Sequence, residues 1–238
     1  MKLEEAVESF LEKQSYPEFR PKAVFFDMDG VLYNSMPAHA KAWVEALKEE
    51  GVSFSEYQAY LNEGRTGHGT IDDVFLQQKG REATEVEKQR IYKRKSEIFD
   101  GFGEASAITG IDKVMDYIKQ VGWQAYLVTG SGQPSLLDRL EHSFPGVFAQ
   151  ERMVTAFDVK YGKPHPEPYL MALKKSGLHP WEVFVVENAP LGVQSAKAAG
   201  LFVFAVNTGI LHREDLYKAG ADVVLDNMIE LVSVMKTL

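Results

Sequence analysis

Two aspartates separated by one residue follow an apolar run in the segment 22-KAVFFDMDGVLYNS-35. An uninterrupted apolar run is typical of a strand that is buried on both faces of a parallel sheet. Asp27 and Asp29 would then stand where that strand ends. Ligands of open α/β sheets bind in the crevice beyond the carboxyl ends of the strands, so the pair indicates a ligand site. The alternative is an ordinary Asp-Gly turn.

Polar residues also follow two later apolar runs. Thr129, Gly130 and Ser131 follow the first of these runs, and Asn188 comes shortly after the second. Lys163 lies between them in the chain, flanked by a glycine and a proline. If neighbouring parallel strands bring these ends to one crevice, it holds carboxylates, a hydroxyl, backbone amides and one ammonium group.

This set of groups fits phosphoryl transfer. A carboxylate can attack phosphorus and form an aspartyl phosphate. A second carboxylate can protonate the leaving oxygen and then activate water. Carboxylate and amide oxygens suit Mg²⁺, while a hydroxyl, backbone amides and an ammonium group can hold the transferring oxygens. The residues therefore favour a magnesium-dependent phosphotransfer site over a plain turn.

Composition restricts the class of protein. The chain has 238 residues, of which 45% are hydrophobic and 25% charged, as is usual for soluble globular proteins. A formal net charge of −8 argues against a nucleic-acid partner. The absence of cysteine excludes disulfides and thiolate chemistry. An acidic N-terminus and the lack of a long apolar run predict a cytoplasmic protein with no membrane partner.

The spacing of apolar residues predicts the elements that position these groups. Helices are predicted at 3–14, 37–50, 55–62, about 70–79, 84–100, 111–121, 134–142, 166–176 and 190–199, with two more near the end of the chain. Strands are predicted just before Asp27 and at 123–128, 152–155, 182–186, 202–206 and 222–225. Alternating strands and helices predict an α/β fold with a parallel sheet. The strand-poor stretch 34–103 predicts an all-helical domain inserted into a core of residues 1–33 and 104–238.

Four segments, DMDGVL, LVTGSG, GKPHPEPY and VVENAPLG, resemble in this order the motifs of the haloacid dehalogenase (HAD) superfamily of phosphotransferases. The helical insertion is similar to the cap of the β-phosphoglucomutase-like branch. The resemblance covers nearly the whole chain beyond its first twenty residues. It implies a HAD-like Rossmannoid core with an inserted helical cap, a Mg²⁺ cofactor and an aspartyl-phosphate intermediate.

The resemblance also implies the role of each motif residue. Asp27 would be the nucleophile and Asp29 the acid and base. Thr129, the glycine and serine that follow it, and Lys163 would bind the phosphoryl group. Asp27, the backbone carbonyl of Asp29 and the side chain of Asn188 would hold Mg²⁺.

The sequence departs from the mutases of this branch. They resemble one another in an arginine of the cap loop and a lysine after the second motif, and Gly67 and Gly132 stand at those positions here. Arg65 lies two residues before Gly67 and could substitute for the missing arginine, although it would point differently. His39 is retained where the mutases have a cap histidine, either for catalysis or packed beside Trp43. These departures disfavour the mutase reaction.

A second departure suggests a substrate. Asn188 stands where most relatives carry Asp, and Glu63 and Lys95 could fill the space that a sugar would occupy. This combination is similar to that of cap-bearing inorganic pyrophosphatases, so the main prediction is a monomer that hydrolyses pyrophosphate to two phosphates. Glu63 could instead be an exposed loop carboxylate, and Lys95 part of the solvated charge run 93-KRK-95. A β-phosphoglucomutase, a general sugar-phosphate phosphatase and a phosphate sensor without turnover remain the alternatives.

Overall fold

A computed structural model describes residues 2–130 and 136–238 of the chain. Its helices are α1 (Leu3–Gln14), α2 (Met36–Glu49), α3 (Glu56–Leu61), α4 (Gly67–Lys79), α5 (Glu85–Asp100), α6 (Ile111–Val121), α7 (Leu136–Ser143), α8 (Glu167–Ser176), α9 (Pro190–Ala198), α10 (Arg213–Lys218) and α11 (Met228–Met235). Its strands are β1 (Ala23–Phe26), β2 (Gln124–Val128), β3 (Met153–Val154), β4 (Val183–Glu187), β5 (Phe202–Val206) and β6 (Val223–Leu225). Short 3₁₀ helices precede β3 and β4.

The strands form one six-stranded parallel sheet in the order β3-β2-β1-β4-β5-β6. β1 lies between β2 and β4, and Phe26 at its end is opposite Leu127 and Val186. The residues that follow these three strands therefore meet at one edge of the sheet. The predicted α/β fold with a parallel sheet is confirmed.

The sheet is buried on both faces because successive side chains of a strand point to opposite sides. Ala23 and Phe25 join the hydrophobic core on one face, while Val24 and Phe26 join the core on the other. All four are completely buried. Two-sided burial explains the uninterrupted apolar run and fixes the point where Asp27 leaves the sheet.

Helix α1 precedes the first strand and packs on the sheet. Phe10 is 1% exposed, and its ring meets that of Phe202 on β5 edge to face at 5.3 Å between centroids. Tyr16 and Phe19 pack against the same ring of Phe10, so the segment after α1 covers this part of the core.

No helix in residues 2–130 and 136–238 is long and apolar enough to cross a membrane.

Helices α2 to α5 form a block between β1 and α6, and the described residues 36–100 contain no strand. α2 packs against α3 and α5, and α4 packs against α5. The Thr84 hydroxyl accepts a hydrogen bond from the Glu87 amide, while Glu87 bonds back to Thr84. This reciprocal capping box begins α5 where the sequence predicts it. We call α2–α5 the cap; its status as a separate domain stays a prediction.

Among the differences between the predicted and observed bounds of the elements, two have a clear structural reason. Helix α4 begins at Gly67 rather than near residue 70, because the Thr66 side chain caps it and accepts a hydrogen bond from the Gly69 amide at 3.2 Å. Strand β4 continues through Glu187, whose carboxylate has partners inside the protein. The first two residues of the helix predicted at 134–142 lie outside the described residues.

Candidate active site

Asp27 lies at the end of β1 and is 4% exposed. Its amide donates to the Val186 carbonyl at 3.1 Å, which continues the pairing of β1 with β4. Its Oδ1 accepts a hydrogen bond from Lys163 Nζ at 2.5 Å. Burial raises the pKa of Asp27 to about 7; the negative charges of Glu187 and Asp29 act in the same direction, and Lys163 opposes them. The Lys163 contact therefore favours the carboxylate that a nucleophile needs.

Lys163 is held by a second carboxylate that the sequence analysis gave no role. Its Nζ donates to Glu187 Oε1 at 2.6 Å, and the Tyr169 hydroxyl donates to the same oxygen at 2.7 Å. Burial lowers the pKa of Lys163, but Asp27 and Glu187 outweigh this effect and hold it well above its usual range. Lys163 is therefore a fixed ammonium group beside Asp27.

Asp29 belongs to the tight loop that follows β1. Gly30 has a φ of +85°, and a Cβ there would lie 2.1 Å from Nδ2 of Asn188, so only glycine fits. The Ser35 hydroxyl donates to Asp29 Oδ1 at 2.5 Å, and His39 Nε2 lies 3.5 Å from the same oxygen. Burial raises the pKa of Asp29, but His39, Ser35 and a nearby arginine lower it to about 2.

Two buried oxygens fit the predicted Mg²⁺. Asp27 Oδ2 and Asn188 Oδ1 are both buried and have no hydrogen-bond partner in the described part of the chain. The nitrogen of the Asn188 side chain orients the group, because Nδ2 donates a hydrogen bond to Glu63 Oε2 at 2.9 Å. Unpaired oxygen acceptors are the groups that a hard cation binds. Residues 2–130 and 136–238 show no group of three or more His, Asp or Glu side chains that could hold a metal, so a backbone carbonyl and substrate oxygens would complete the set.

The two cap residues His39 and Lys95 form a chain to Asp29. Lys95 Nζ lies 2.7 Å from His39 Nδ1, and His39 stacks on Phe99 with 4.0 Å between centroids. An ammonium group can only donate, so Nδ1 accepts and Nε2 carries the proton that faces Asp29. Lys95 is 7% exposed, and burial lowers its pKa to about 8. The solvated-charge interpretation of Lys95 is wrong.

Glu63 is directed toward the core. Its carboxylate accepts the hydrogen bond from Asn188, and burial together with the charges of Asp27 and Glu187 raises its pKa well above the usual value. The interpretation of Glu63 as a solvated loop carboxylate is therefore wrong. Its hydrogen-bond partner is Asn188.

The loop that follows β2 lies beside Asp27. The Thr129 amide donates to the Val154 carbonyl at 2.9 Å, which continues the pairing of β2 with β3. Thr129 and Gly130 line the same cavity as Asp27. Ser131 and Gly132 lie outside the described residues.

A cavity of about 470 Å³ opens between the cap and the core. Its charged lining residues include Asp27, Asp29, Glu63, Arg65, Lys95 and Arg139. An arginine at position 67 would require Tyr92 to move, because a Cβ there would lie 2.2 Å from the Tyr92 ring. Arg65 does reach the cavity.

Four residues near the site had no role in the sequence analysis: Ser35, Arg139, Tyr169 and Glu187. Ser35 carried no signal because serine is common at helix starts. Glu187 could have been found, since an acidic residue at the end of an apolar run needs a buried partner. Arg139 and Tyr169 lie on helices and are recognisable only from their contacts.

Comparison with known proteins gives consistent matches. Residues 21–200 match the family model described as haloacid dehalogenase-like hydrolase. A solved structure from Bacteroides vulgatus, named provisionally as a beta-phosphoglucomutase, is 49% identical with a TM-score of 0.93, covering 98% of this chain and 95% of that one. This match confirms the predicted HAD-like fold.

Two curated proteins are also similar. Hexitol phosphatase A of Escherichia coli is 33% identical over 79% of this chain and 84% of its own. A phosphorylated carbohydrates phosphatase of Thermotoga maritima is 27% identical over 90% of this chain and 98% of its own. The similarity in both cases spans the cap as well as the core.

Proposed function

Because the chain belongs to the haloacid dehalogenase-like hydrolases, we propose that it is a Mg²⁺-dependent phosphatase that acts on phosphorylated sugars through an aspartyl phosphate on Asp27. The observation that carries the proposal is the placement of Asp27. It is buried at the end of β1, it is held by Lys163, and it lines a cavity of about 470 Å³. A carboxylate in this setting is positioned to attack a phosphoryl group that enters the cavity.

In the first step an Asp27 oxygen bonds to phosphorus while the bond from phosphorus to the leaving oxygen breaks. Asp29 gives a proton to that oxygen. Its pKa of about 2 means that the free protein holds the ionised form, so Asp29 must first take up a proton from solvent as the anionic substrate enters and raises this pKa. In the second step Asp29 takes a proton from the water that attacks the phosphoaspartate, which releases phosphate and restores Asp27.

The other residues bind and orient. Lys163 and Thr129 hold the non-bridging oxygens of the phosphoryl group, and Glu187 keeps Lys163 in place. Mg²⁺, held by Asp27, Asn188 and the Asp29 carbonyl, would supply positive charge opposite the transferring phosphoryl group. The cap excludes water from the cavity when it is closed over the core.

A sugar phosphate is the substrate class that receives most support. The curated relatives carry the names of a hexitol phosphatase and a phosphorylated carbohydrates phosphatase. The cavity keeps a volume of about 470 Å³ although Glu63 and Lys95 line it, so these side chains do not fill the space of a sugar. This volume lies within the range of roughly 300–1,000 Å³ that is common for small-molecule sites. These points favour a phosphorylated sugar over pyrophosphate, the main prediction from the sequence.

Pyrophosphate remains the second candidate because of one contact. Asn188 reduces the negative charge at the predicted metal site, and its amide is bonded to Glu63. Less negative charge there would repel a highly anionic substrate less. The buried ammonium group of Lys95 would also suit a second phosphate.

Phosphate release from a substrate panel tests the proposal. The panel contains hexose and hexitol phosphates and pyrophosphate, each with Mg²⁺ or with a chelator. We expect Mg²⁺-dependent turnover, highest with a sugar phosphate, that is lost in Asp27→Asn and kept in Asp116→Asn on the exposed face of α6. Formation of an isomeric sugar phosphate without release of phosphate would favour the mutase. Binding without turnover would favour the phosphate sensor, and fastest turnover of pyrophosphate would favour the second candidate.

A further inference from the structure

Four buried side-chain atoms in residues 2–130 and 136–238 have no hydrogen-bond partner, and they divide by chemistry. Two are acceptors, Asp27 Oδ2 and Asn188 Oδ1, which fit a metal cation. Two are donors, Nε of Arg65 and Nη2 of Arg139. A buried donor without a partner is costly, so it calls for an acceptor that enters the site. Both arginines line the cavity that contains Asp27.

The guanidinium group of Arg139 is held in place. Its Cζ lies 3.8 Å from the centroid of the Tyr33 ring, and the Tyr33 hydroxyl donates to the Arg139 carbonyl at 3.2 Å. Tyr33 is 1% exposed and is itself fixed, since its carbonyl accepts from the Gly30 amide at 2.7 Å. Stacking fixes the plane of the guanidinium group and leaves its edge for hydrogen bonds. The donor is therefore preorganised.

Arg139 and Asp29 line the same cavity. Asp29 protonates the leaving oxygen in the proposed reaction, and Arg139 lies close enough for its charge to help lower the pKa of Asp29. The two lysines near the site are already engaged, Lys163 by Asp27 and Glu187 and Lys95 by His39. Arg139 is on α7 of the core, so cap movement would not withdraw it.

We propose that Arg139, together with Arg65 of the cap, binds an anionic substituent on the leaving group and so determines substrate specificity. The favoured substrates carry a carboxylate or a second phosphate in addition to the transferred phosphoryl group. This inference rests on the proposed function and narrows its substrate class. A guanidinium edge suits such a group because it can donate two parallel hydrogen bonds to one carboxylate or phosphate.

A matched pair of substrates isolates this charge. Glucitol 6-phosphate and 6-phosphogluconate share the transferred group and an open carbon chain, and the second carries a carboxylate at C1 where the first carries a hydroxymethyl group. We expect the wild-type protein to have the higher kcat/KM for 6-phosphogluconate. Arg139→Gln should lower that advantage roughly tenfold to a hundredfold, the range of one charge-assisted hydrogen bond. Arg139→Lys should keep part of it, and Arg152→Gln, outside the cavity, should keep all of it.

Equilibrium binding makes the test independent of turnover. Calorimetry with Asp27→Asn, alone and combined with Arg139→Gln, measures the same preference without chemistry, and circular dichroism confirms that each variant is folded. A preference for 6-phosphogluconate that disappears with Arg139→Gln supports the inference even if phosphate release fails and the proposed function falls. Equal binding of both compounds, binding of neither, or equal losses for both in Arg139→Gln would overturn it.

Discussion

Lys93 and Lys95 show how two lysines of one charge run come to lie in different environments. The side chain of Lys93 is 79% exposed, whereas Lys95 as a whole is 7% exposed. Two positions along a helix rotate the side chain by roughly 200°, so Lys95 faces the cavity. There Nζ contacts His39 and lies 4.9 Å from the Phe99 ring centroid. Sequence composition alone could not separate these two residues.

The pKa of Lys95 gives a prediction for the pH dependence. Burial lowers this pKa to about 8, so the ammonium form is present below that pH and the neutral amine above it. Loss of the charge weakens the hydrogen bond to His39 and removes the attraction for an anionic substrate. We therefore expect kcat/KM to fall as the pH rises through about 8.

Lys95→Met should lower kcat/KM and flatten this alkaline limb, while Lys93→Met on the exposed face of the same helix should leave the profile unchanged. The measurement is kcat/KM for one sugar phosphate at fixed free Mg²⁺ across this pH range. An alkaline limb of the same shape in Lys95→Met would assign it to another group.

At the scale of elements, strand β4 and helix α9 together position Glu187, the carboxylate that holds Lys163. Glu187 ends β4, and Gly192 lies in the first turns of α9 directly against it. A Cβ at Gly192 would lie 1.9 Å from Glu187 Oε1, the oxygen that accepts from both Lys163 and Tyr169. The helix can approach the carboxylate this closely only because residue 192 has no side chain.

Gly192→Ala should therefore displace Glu187 and loosen Lys163. We expect a loss of stability of about 1–3 kcal/mol, as for overpacked cores, although alanine favours the helix itself. Phosphatase activity should fall in the molecules that remain folded. The control is Gln194→Ala on the exposed face of α9. Urea unfolding with parallel assays checks both effects, and an equally stable, fully active Gly192→Ala protein would show that Glu187 is not confined in this way.

Sequence patterns predicted elements better than contacts. The bounds of α6 and β5 were predicted to the residue, because a glycine precedes and follows the apolar periodicity of α6 and β5 is one uninterrupted apolar run. The strand-end positions of Asp27 and Asn188 followed from the same patterns. The contacts of Glu63 and Arg139 could not be predicted, because they join residues 125 and 106 positions apart in the chain. Such pairings depend on how the cap and helices pack, which local periodicity does not specify.

At the scale of the whole molecule, the cap contacts the core at several points around the site. Glu63 meets Asn188, and the Tyr57 hydroxyl donates to Asp215 on α10. A Cβ at Gly209 of the core would lie 2.3 Å from the ring of Tyr60 in the cap, so the two parts approach each other closely there too. The cap is thus closed over Asp27, and the Asn188 contact links that closure to the predicted metal site.

Asn188→Asp should disrupt the contact between residue 188 and Glu63. An aspartate would face Glu63 without the amide donor, so like charges would repel and the melting temperature in chelator should fall. The added charge should also strengthen Mg²⁺ binding, and binding to the folded state raises the melting temperature. We therefore expect a larger Mg²⁺-induced increase than in the wild type.

The double variant Asn188→Asp/Glu63→Gln separates repulsion from metal binding. Glutamine restores a donor opposite residue 188, so the melting temperature in chelator should recover while the strong response to Mg²⁺ remains. Thermal unfolding with and without Mg²⁺ measures both quantities. Failure of the double variant to recover would show that Glu63 does not contact residue 188 in solution.

In the proposed reaction Asp27 carries the phosphoryl group during turnover. The most direct measurement is acid quenching during turnover of a substrate labelled in its phosphate, followed by mass analysis of the peptide that contains Asp27. We expect one labile phosphate on Asp27, which accumulates in Asp29→Asn because the activating base is gone, and which is absent from Asp27→Asn. Phosphate release by a folded Asp27→Asn protein, with deamidation excluded by mass, or label on another residue, would contradict it.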